Sequence, residues 1–397
     1  MAVLNETPAG ERLHITFFGK RNAGKSSVVN AVTGQDLAVV SEKAGTTTDP
    51  VEKAMEILPL GPVLIVDTPG TDDVGDLGEK RVARSYREMA RTDIAVLVVD
   101  GEKGLSDEDQ DLIGRFKAKN LPYLVVYNKA DLAEGNRSLK ANEIEVSAKT
   151  GWHIRELKDK LASMNPQIKE QPIIKDLVKT GDVVVLVIPI DASAPKGRLI
   201  LPQQQVLREL LDIGAMGICC RETELPQTLE ALTHAPALVV TDSQAFKKVA
   251  AVVPPAVKLT SFSILMARHK GFLKTAVQGV KQLYALQDGD KILMAEGCTH
   301  HRQCQDIGTV KLPHWIEKKT GKSLVFETSS GKGFPGDLRR YALVVHCGGC
   351  MQNAREVRSR MEEAVRQGIP FTNYGTVIAE INGILPRSLE VLDGHWE

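Results

Sequence analysis

The sequence has no surplus of either charge: 50 lysines and arginines face 50 aspartates and glutamates across 397 residues, a formal net charge of zero. A protein that grips nucleic acid or an anionic membrane broadly shows a basic excess, so neither partner is expected, although a local basic patch stays compatible. Long apolar runs are lacking too. Val183 to Ile190 and Ile94 to Val99 have the length of a strand, not of a bilayer span. The stretch Met1-Ala2-Val3-Leu4-Asn5-Glu6 has neither the basic nor the apolar part of a secretory leader, which makes a cytoplasmic location the expectation. There, the six cysteines are read as reduced and free for metal or redox chemistry rather than paired. Repeats and low-complexity tracts are absent.

What is present is an ordinary globular composition, 43% hydrophobic and 25% charged. A chain of this length exceeds one core of usual size, so several domains are expected. Residues 1–168 alternate short apolar runs with helical patterns. His14–Phe18, Val63–Val66, Ile94–Val99, Tyr123–Tyr127 and Ile144–Val146 read as buried strands of a parallel sheet. The prolines of Asn165-Pro166 and Gln171-Pro172 then mark a linker. A second, smaller α/β unit covers 172–266, with strands at Val183–Ile190, Gly217–Cys220, Ala237–Thr241 and Val257–Leu259. A third covers 267–397, with strands at Lys291–Ala295, Ser323–Glu327 and Ala342–Val345 and a helix over Met351–Gln367.

Gly19-Lys20-Arg21-Asn22-Ala23-Gly24-Lys25-Ser26 fits G-x-x-x-x-G-K-S between a predicted strand and a predicted helix, a context that removes most chance matches. Glycines let backbone N–H groups close around phosphate oxygens, and the helix N-terminus adds partial positive charge. Lys25 reaches the outer phosphates, and the Ser26 hydroxyl, followed by Ser27, suits Mg²⁺. Asp67-Thr68-Pro69-Gly70 follows the strand Val63–Val66 and supplies a carboxylate for the Mg²⁺ shell and, at Gly70, an N–H for the γ-phosphate. Asn128-Lys129-Ala130-Asp131 ends another strand. The Asp131 carboxylate can accept from guanine N1–H and N2–H₂, donors that adenine does not offer. Ser147-Ala148-Lys149 closes the base pocket. Gly45-Thr46-Thr47-Thr48-Asp49 offers a threonine hydroxyl to the metal, Thr48 above all, when GTP is bound. Singly these later motifs are weak. In this order they resemble a translation-factor-type GTPase domain and point to GTP and GDP as ligands.

Four of the six cysteines follow residue 297. Cys298-Thr299-His300 follows one predicted strand directly, and His346-Cys347-Gly348-Gly349-Cys350 follows another, so both sit where α/β sheets form ligand crevices. The helix after Cys350 is expected to aim N–H groups at the thiolates and lower their pKa. Soft sulfur ligands favour zinc or iron–sulfur, and spacing alone leaves the two open. A redox Cys-x-x-Cys is a third reading, but it leaves Cys298-Thr299-His300 unexplained. Cys219-Cys220 reads as small core residues, and His14 and His269 as structural.

The GTPase part is similar to the tRNA-modifying (TrmE-type) GTPases in carrying Asn22 and the Gly45–Thr48 loop. The residue after Gly70 is Thr71, where Ras-like GTPases carry a water-orienting glutamine. The TrmE resemblance implies instead that Asn22 helps hold K⁺ in place of an arginine finger, and that Glu79, by spacing, positions water. An ordinary solvated helix residue is the other reading of Glu79. With C-x-H and H-C-x-x-C added, the whole chain resembles the HydF family of FeFe-hydrogenase maturation GTPases, including Pro189-Ile190-Asp191-Ala192-Ser193-Ala194-Pro195-Lys196-Gly197-Arg198 and Asp306-Ile307-Gly308-Thr309-Val310-Lys311. The resemblance implies a homodimerising middle unit and a 4Fe–4S cluster on Cys298, Cys347 and Cys350, with His300 and His346 near it. It also implies a diiron subcluster as cargo, with radical-SAM maturases and apo FeFe-hydrogenase as partners. The fourth cluster position is left to His300, His301, Cys304, Asp306, His346 or an exogenous ligand. An RNA- or ribosome-associated GTPase with a structural zinc domain is the alternative. The balanced charge and the lack of an evident RNA-binding appendage weigh against it.

Overall fold

The computed structural model describes residues 7–34, 50–71, 85–132, 137–164, 171–190, 199–297, 307–331 and 333–392. The chain divides into two units, Met1–Ile168 and Lys169–Glu397.

In the first unit, strands β1 (Leu13–Phe18), β2 (Val51–Ile57), β3 (Gly61–Asp67), β4 (Ile94–Asp100), β5 (Tyr123–Asn128) and β6 (Glu143–Glu145) form one sheet in the order β2-β3-β1-β4-β5-β6. All neighbours are parallel except β2, which runs antiparallel to β3. The two-residue period of a strand explains why near-continuous apolar runs were needed. Along β4, Ile94, Val96 and Val98 join one buried cluster, with Val28 and Val32 of the helix Lys25–Thr33 and Leu157 of the helix Ile154–Ser163. Ala95, Leu97 and Val99 face the other way, with Leu112 and Phe116 of the helix Asp107–Ala118. Each fully buried side chain of this size contributes roughly 1.5–3 kcal/mol.

In the second unit, β7 (Val183–Val187), β8 (Met216–Cys220), β9 (Leu238–Thr241) and β10 (Lys258–Ser261) form a parallel sheet in the order β10-β9-β7-β8. Strands β11 (Lys291–Glu296), β12 (Val325–Ser330), β13 (Leu343–His346) and β14 (Phe371–Asn373) form another, in the order β12-β11-β13-β14, also parallel. Buried residues from both sheets make one continuous cluster, from Ile173 to Leu392. The helix Leu273–Gly279 packs on β14 so closely that a Cβ at Gly279 would meet the Phe371 carbonyl oxygen at 2.1 Å. Among the described residues no helix is long and apolar enough to cross a membrane.

The α/β class and the parallel sheets match the sequence reading, with three local differences. Strand β2 went unread because most of its side chains are exposed at the sheet edge, and β14 because it has only three residues. Strand β12 continues through Thr328, Ser329 and Ser330, polar residues recruited by the ladder to β11 rather than by their own hydrophobicity. Cys220 is buried as expected, whereas Cys219 is exposed on the opposite face.

The turn after β1 tolerates no side chain at its first position. Gly19 has φ +139°, and a Cβ there would lie 2.2 Å from the Val98 carbonyl oxygen. Gly19→Ala is expected to lower stability by about 1–3 kcal/mol, read as a shift of the urea midpoint at unchanged slope.

Candidate functional site

The phosphate-loop geometry comes from the turn between β1 and the helix Lys25–Thr33. Asn22 (φ +59°) and Gly24 (φ +87°) take left-handed conformations that aim the loop backbone inward. Lys25 is buried, and its ammonium donates to the carbonyls of Gly19 at 2.9 Å and Lys20 at 2.7 Å. Those neutral acceptors can be exchanged for phosphate oxygens, which bind a cation more strongly. The Ser26 hydroxyl donates to Asp67 Oδ2 at 2.6 Å, and Asp67 Oδ1 is buried with no hydrogen-bond partner among the described residues. Burial pushes the Asp67 carboxyl up, opposed by the Ser26 hydrogen bond and the nearby Lys25 charge. An orphaned carboxylate oxygen beside a hydroxyl is a donor set that fits Mg²⁺. The segment after Asp67 is tied back to this loop: Thr68 Oγ1 donates to the Phe17 carbonyl at 2.7 Å, and the Thr71 N–H to the Gly19 carbonyl at 3.3 Å. Gly70 lies between those two ties.

Beside the loop opens a cleft of about 630 Å³, lined by Gly24, Ser27, Asn128, Asp131, Ala148 and Lys149 among others. That volume is within the range of small-molecule sites. Asn128 joins its two walls: its amide donates to the Ala23 carbonyl at 3.1 Å, and its side-chain oxygen accepts from Ala148 N–H at 3.1 Å. Lys129 (φ +67°) turns its ammonium onto Asp100 Oδ2 at 2.6 Å. Asp131 is exposed, and the Ser147 hydroxyl donates to its Oδ1 at 2.6 Å, which holds its carboxyl below the usual range. It therefore stays an acceptor-only group at the edge of the cleft. Thr46, Thr47, Thr48 and Glu79 lie outside the described residues.

In the second unit, Cys347 and Cys350 leave the carboxyl end of β13, beside the end of β11, where Ala295 pairs with His346. Two backbone N–H groups reach Cys347 Sγ, from Gly297 at 3.0 Å and Gly349 at 3.3 Å. Gly297 directly precedes Cys298 in the sequence. Cys298, His300, His301, Cys304 and Asp306 lie outside the described residues. Among the described residues, no group of three or more His, Cys, Asp and Glu side chains is gathered closely enough to hold a metal ion. His346 is fully buried. Its Nδ1 donates to the Cys347 carbonyl at 2.7 Å, and its Nε2 faces the Arg360 guanidinium at 3.3 Å, so both ring nitrogens are engaged. Burial first, then the Arg360 charge, pushes its pKa down to about 3, and the ring stays neutral.

One expectation is corrected here. Burial raises the Cys347 pKa, and the two N–H donors at its sulfur only partly offset that. The helix expected to lower it begins at Ala354, and the side chain of Asn353 takes the Glu356 N–H at its start, 2.9 Å away. Sequence reasoning also missed the supports of this loop. Gly297 packs against the Gln352 side chain, whose Oε1 a Cβ there would meet at 2.5 Å and displace, and Lys270 and Arg360 are buried cations bonded around the loop. A glycine directly before a cysteine was the available signal; distant lysines and arginines gave none.

The phosphate loop, the Ser26–Asp67 pair and the Asn128–Asp131 cleft define the first unit as a P-loop GTPase domain, and residues 14–129 match the family described as 50S ribosome-binding GTPase. Residues 173–271 match the Hydrogen maturase F dimerization domain, and residues 274–391 the Hydrogen maturase F tetramerization domain. With all three parts present in order, the chain belongs to the hydrogen maturase F (HydF) family. Curated relatives match over part of the chain. The tRNA modification GTPase MnmE of Bordetella petrii is 36% identical over 155 residues, 39% of this chain and 34% of its own. GTPase Der of Clostridium botulinum is 33% identical over 164 residues, 36% of this chain and 37% of its own. The chain thus spans about a third of the length of the curated relatives it matches. Among solved structures, Aquifex aeolicus Era bound to GDP.AlF4- is similar at 20% identity and TM-score 0.36, over 56% of this chain and 98% of that one.

Asp131→Asn replaces one acceptor oxygen at the cleft with a donor, which would face the N–H groups of a guanine bound there. Affinity for a fluorescent GTP analogue is expected to fall by at least about 100-fold, with xanthosine triphosphate gaining ground in competition. Unchanged guanine preference would remove Asp131 from the base contact.

Proposed function

We propose that the protein is a GTP-hydrolysing scaffold that holds a 4Fe–4S cluster and delivers a diiron subcluster to apo FeFe-hydrogenase. The observation that carries this reading is the Gly297 N–H bonded to Cys347 Sγ, in a chain of the hydrogen maturase F family. It ties the residue before Cys298 to the Cys347–Cys350 loop. Residues 1–168 would form the GTPase part, 172–266 the dimerising part and 267–397 the cluster part.

In the first part, Lys25 and the N–H groups of Gly19, Asn22, Ala23 and Gly24 bind the phosphates. Asp131, with Asn128, Lys129, Ser147, Ala148 and Lys149 around it, selects guanine. Ser26 and Asp67 hold Mg²⁺, joined by Thr48, and the ion supplies charge neutralisation between the outer phosphates. Asn22 contributes to a K⁺ site, Glu79 positions water, and Gly70 with Thr46 and Thr47 responds to the γ-phosphate.

In the third part, Cys298, Cys347 and Cys350 hold the cluster. The fit rests on the chemistry of the loop: two N–H groups on one sulfur, paired glycines that let the backbone approach closely, and buried cations behind it suit an anionic metal–sulfur centre. Three thiolates leave one coordination position for His300, His301, Cys304, Asp306, His346 or an exogenous ligand, and that open position is what exchange of an iron fragment requires. His346, with both nitrogens engaged, orients the loop carbonyl in the described state.

Lys25→Ala is expected to slow GTP turnover by roughly 10²–10³-fold while leaving iron and sulfide content unchanged, since the two sites lie in different units. Cys347→Ser should do the reverse, losing the cluster absorption after anaerobic reconstitution and keeping GTP turnover. Hydrogen evolution after loaded wild-type protein is mixed with apo FeFe-hydrogenase tests delivery. Stoichiometric zinc in place of iron and sulfide, in protein made without oxygen, would overturn the cluster reading.

A further inference from the structure

Lys270 is only 5% exposed, which for a lysine demands matched polar partners. Its ammonium donates to the carbonyl of Gly349 and, at 2.6 Å, to that of Gln352. Both carbonyls belong to the loop between Cys347 and the helix Ala354–Arg366. Gly349 (φ +61°) is thus held at both ends, its N–H on Cys347 Sγ and its carbonyl on the lysine. The Gln352 N–H donates to the same Gly349 carbonyl at 3.0 Å, closing the turn that contains Cys350.

The lysine reaches this loop from a different part of the chain. It follows the helix Phe262–His269, and its own N–H donates to the Met266 carbonyl at 3.0 Å, so its backbone is fixed by the last turn of that helix. Lys270 falls within the segment that matches the dimerization domain, and the loop within the segment that matches the tetramerization domain. One ammonium therefore ties the end of the first segment to the sulfur-bearing loop of the second.

We propose that Lys270 is the positioning residue of the cysteine loop, its ammonium holding the Gly349 and Gln352 carbonyls so that Cys347 and Cys350 face a soft metal together. This rests on the reading of that loop as a metal site. A residue that orients metal ligands from behind typically governs metal affinity by about 10–100-fold.

The test uses the intact, reduced, metal-free protein and Cd²⁺ alone as probe, followed by the thiolate-to-cadmium charge-transfer band. Hydrogen exchange over residues 347–352 is measured in parallel. Lys270→Met keeps the straight apolar stem and removes the charge. It is expected to weaken Cd²⁺ binding at least about tenfold and to speed exchange at Gly349 and Gln352, with Lys270→Arg restoring most of both. Should the methionine variant fail to fold, Lys270→Gln, whose amide can still donate, takes its place, with the same two losses expected in smaller measure. Wild-type Cd²⁺ affinity and unchanged exchange in either variant would overturn the proposal. A wild-type protein that gives no cadmium–thiolate band would overturn the metal reading instead, and exchange alone would then decide whether Lys270 holds the loop.

Discussion

Parallel pairing between β11 and β13 sets where the sulfur chemistry of this molecule can occur. Ala295 stands opposite His346, so the two chains leave the sheet side by side, and Gly297 and Cys347 emerge as neighbours although 50 positions separate them in sequence. The Gly297 N–H then has a sulfur to donate to, and the Gly349 N–H, brought round by a left-handed turn, reaches the same atom. A one-residue slip of that register would reverse which side chains face the core and separate the two loops. The same constraint organises the first unit, where β1, β3 and β5 run parallel and deliver the phosphate loop, Asp67 and Asn128 to one edge. Ligand crevices at the carboxyl ends of parallel strands follow from this alignment.

Behind the cysteine loop the structure buries charge, which is costly unless every charged group is bonded. Arg360 meets that requirement from several directions. It donates to the Gly331 carbonyl at 2.6 Å and to Glu356 Oε1 at 2.7 Å, and it lies over the Phe334 ring 5.2 Å from the centroid. Glu356 also accepts from Gln352 at 2.6 Å, and His346 links Arg360 to the Cys347 carbonyl. With Lys270 on the other side, the loop is held by the helices Phe262–His269 and Ala354–Arg366 at once.

The phosphate loop was legible because its demands are local. Gly19 and Gly24 are required by backbone conformation and close approach, Lys25 and Ser26 follow directly, and the apolar run of β1 fixes the strand before them. The Asn128–Asp131 segment was legible for a similar reason, since it ends a strand whose unbroken apolar run is visible in the sequence. Strand β2 was not, because an exposed edge strand such as Val51–Ile57 has little hydrophobic signature and forms through pairing with β3. Strand β14 is three residues placed by β13 and by the helix that packs its glycine on Phe371.

By itself the sequence determined the α/β class, the order of the nucleotide motifs and the place of Cys347 and Cys350 after a strand, because each depends on residues close together in the chain. Tertiary structure alone decided that Gly297 lies against Cys347, that both His346 nitrogens are taken, and that Lys270 and Arg360 brace the loop. The contacts from Gly297 to Cys347, Arg360 to His346 and Lys270 to Gln352 join residues 14 to 82 positions apart, and only strand register and helix packing bring such groups within hydrogen-bond reach.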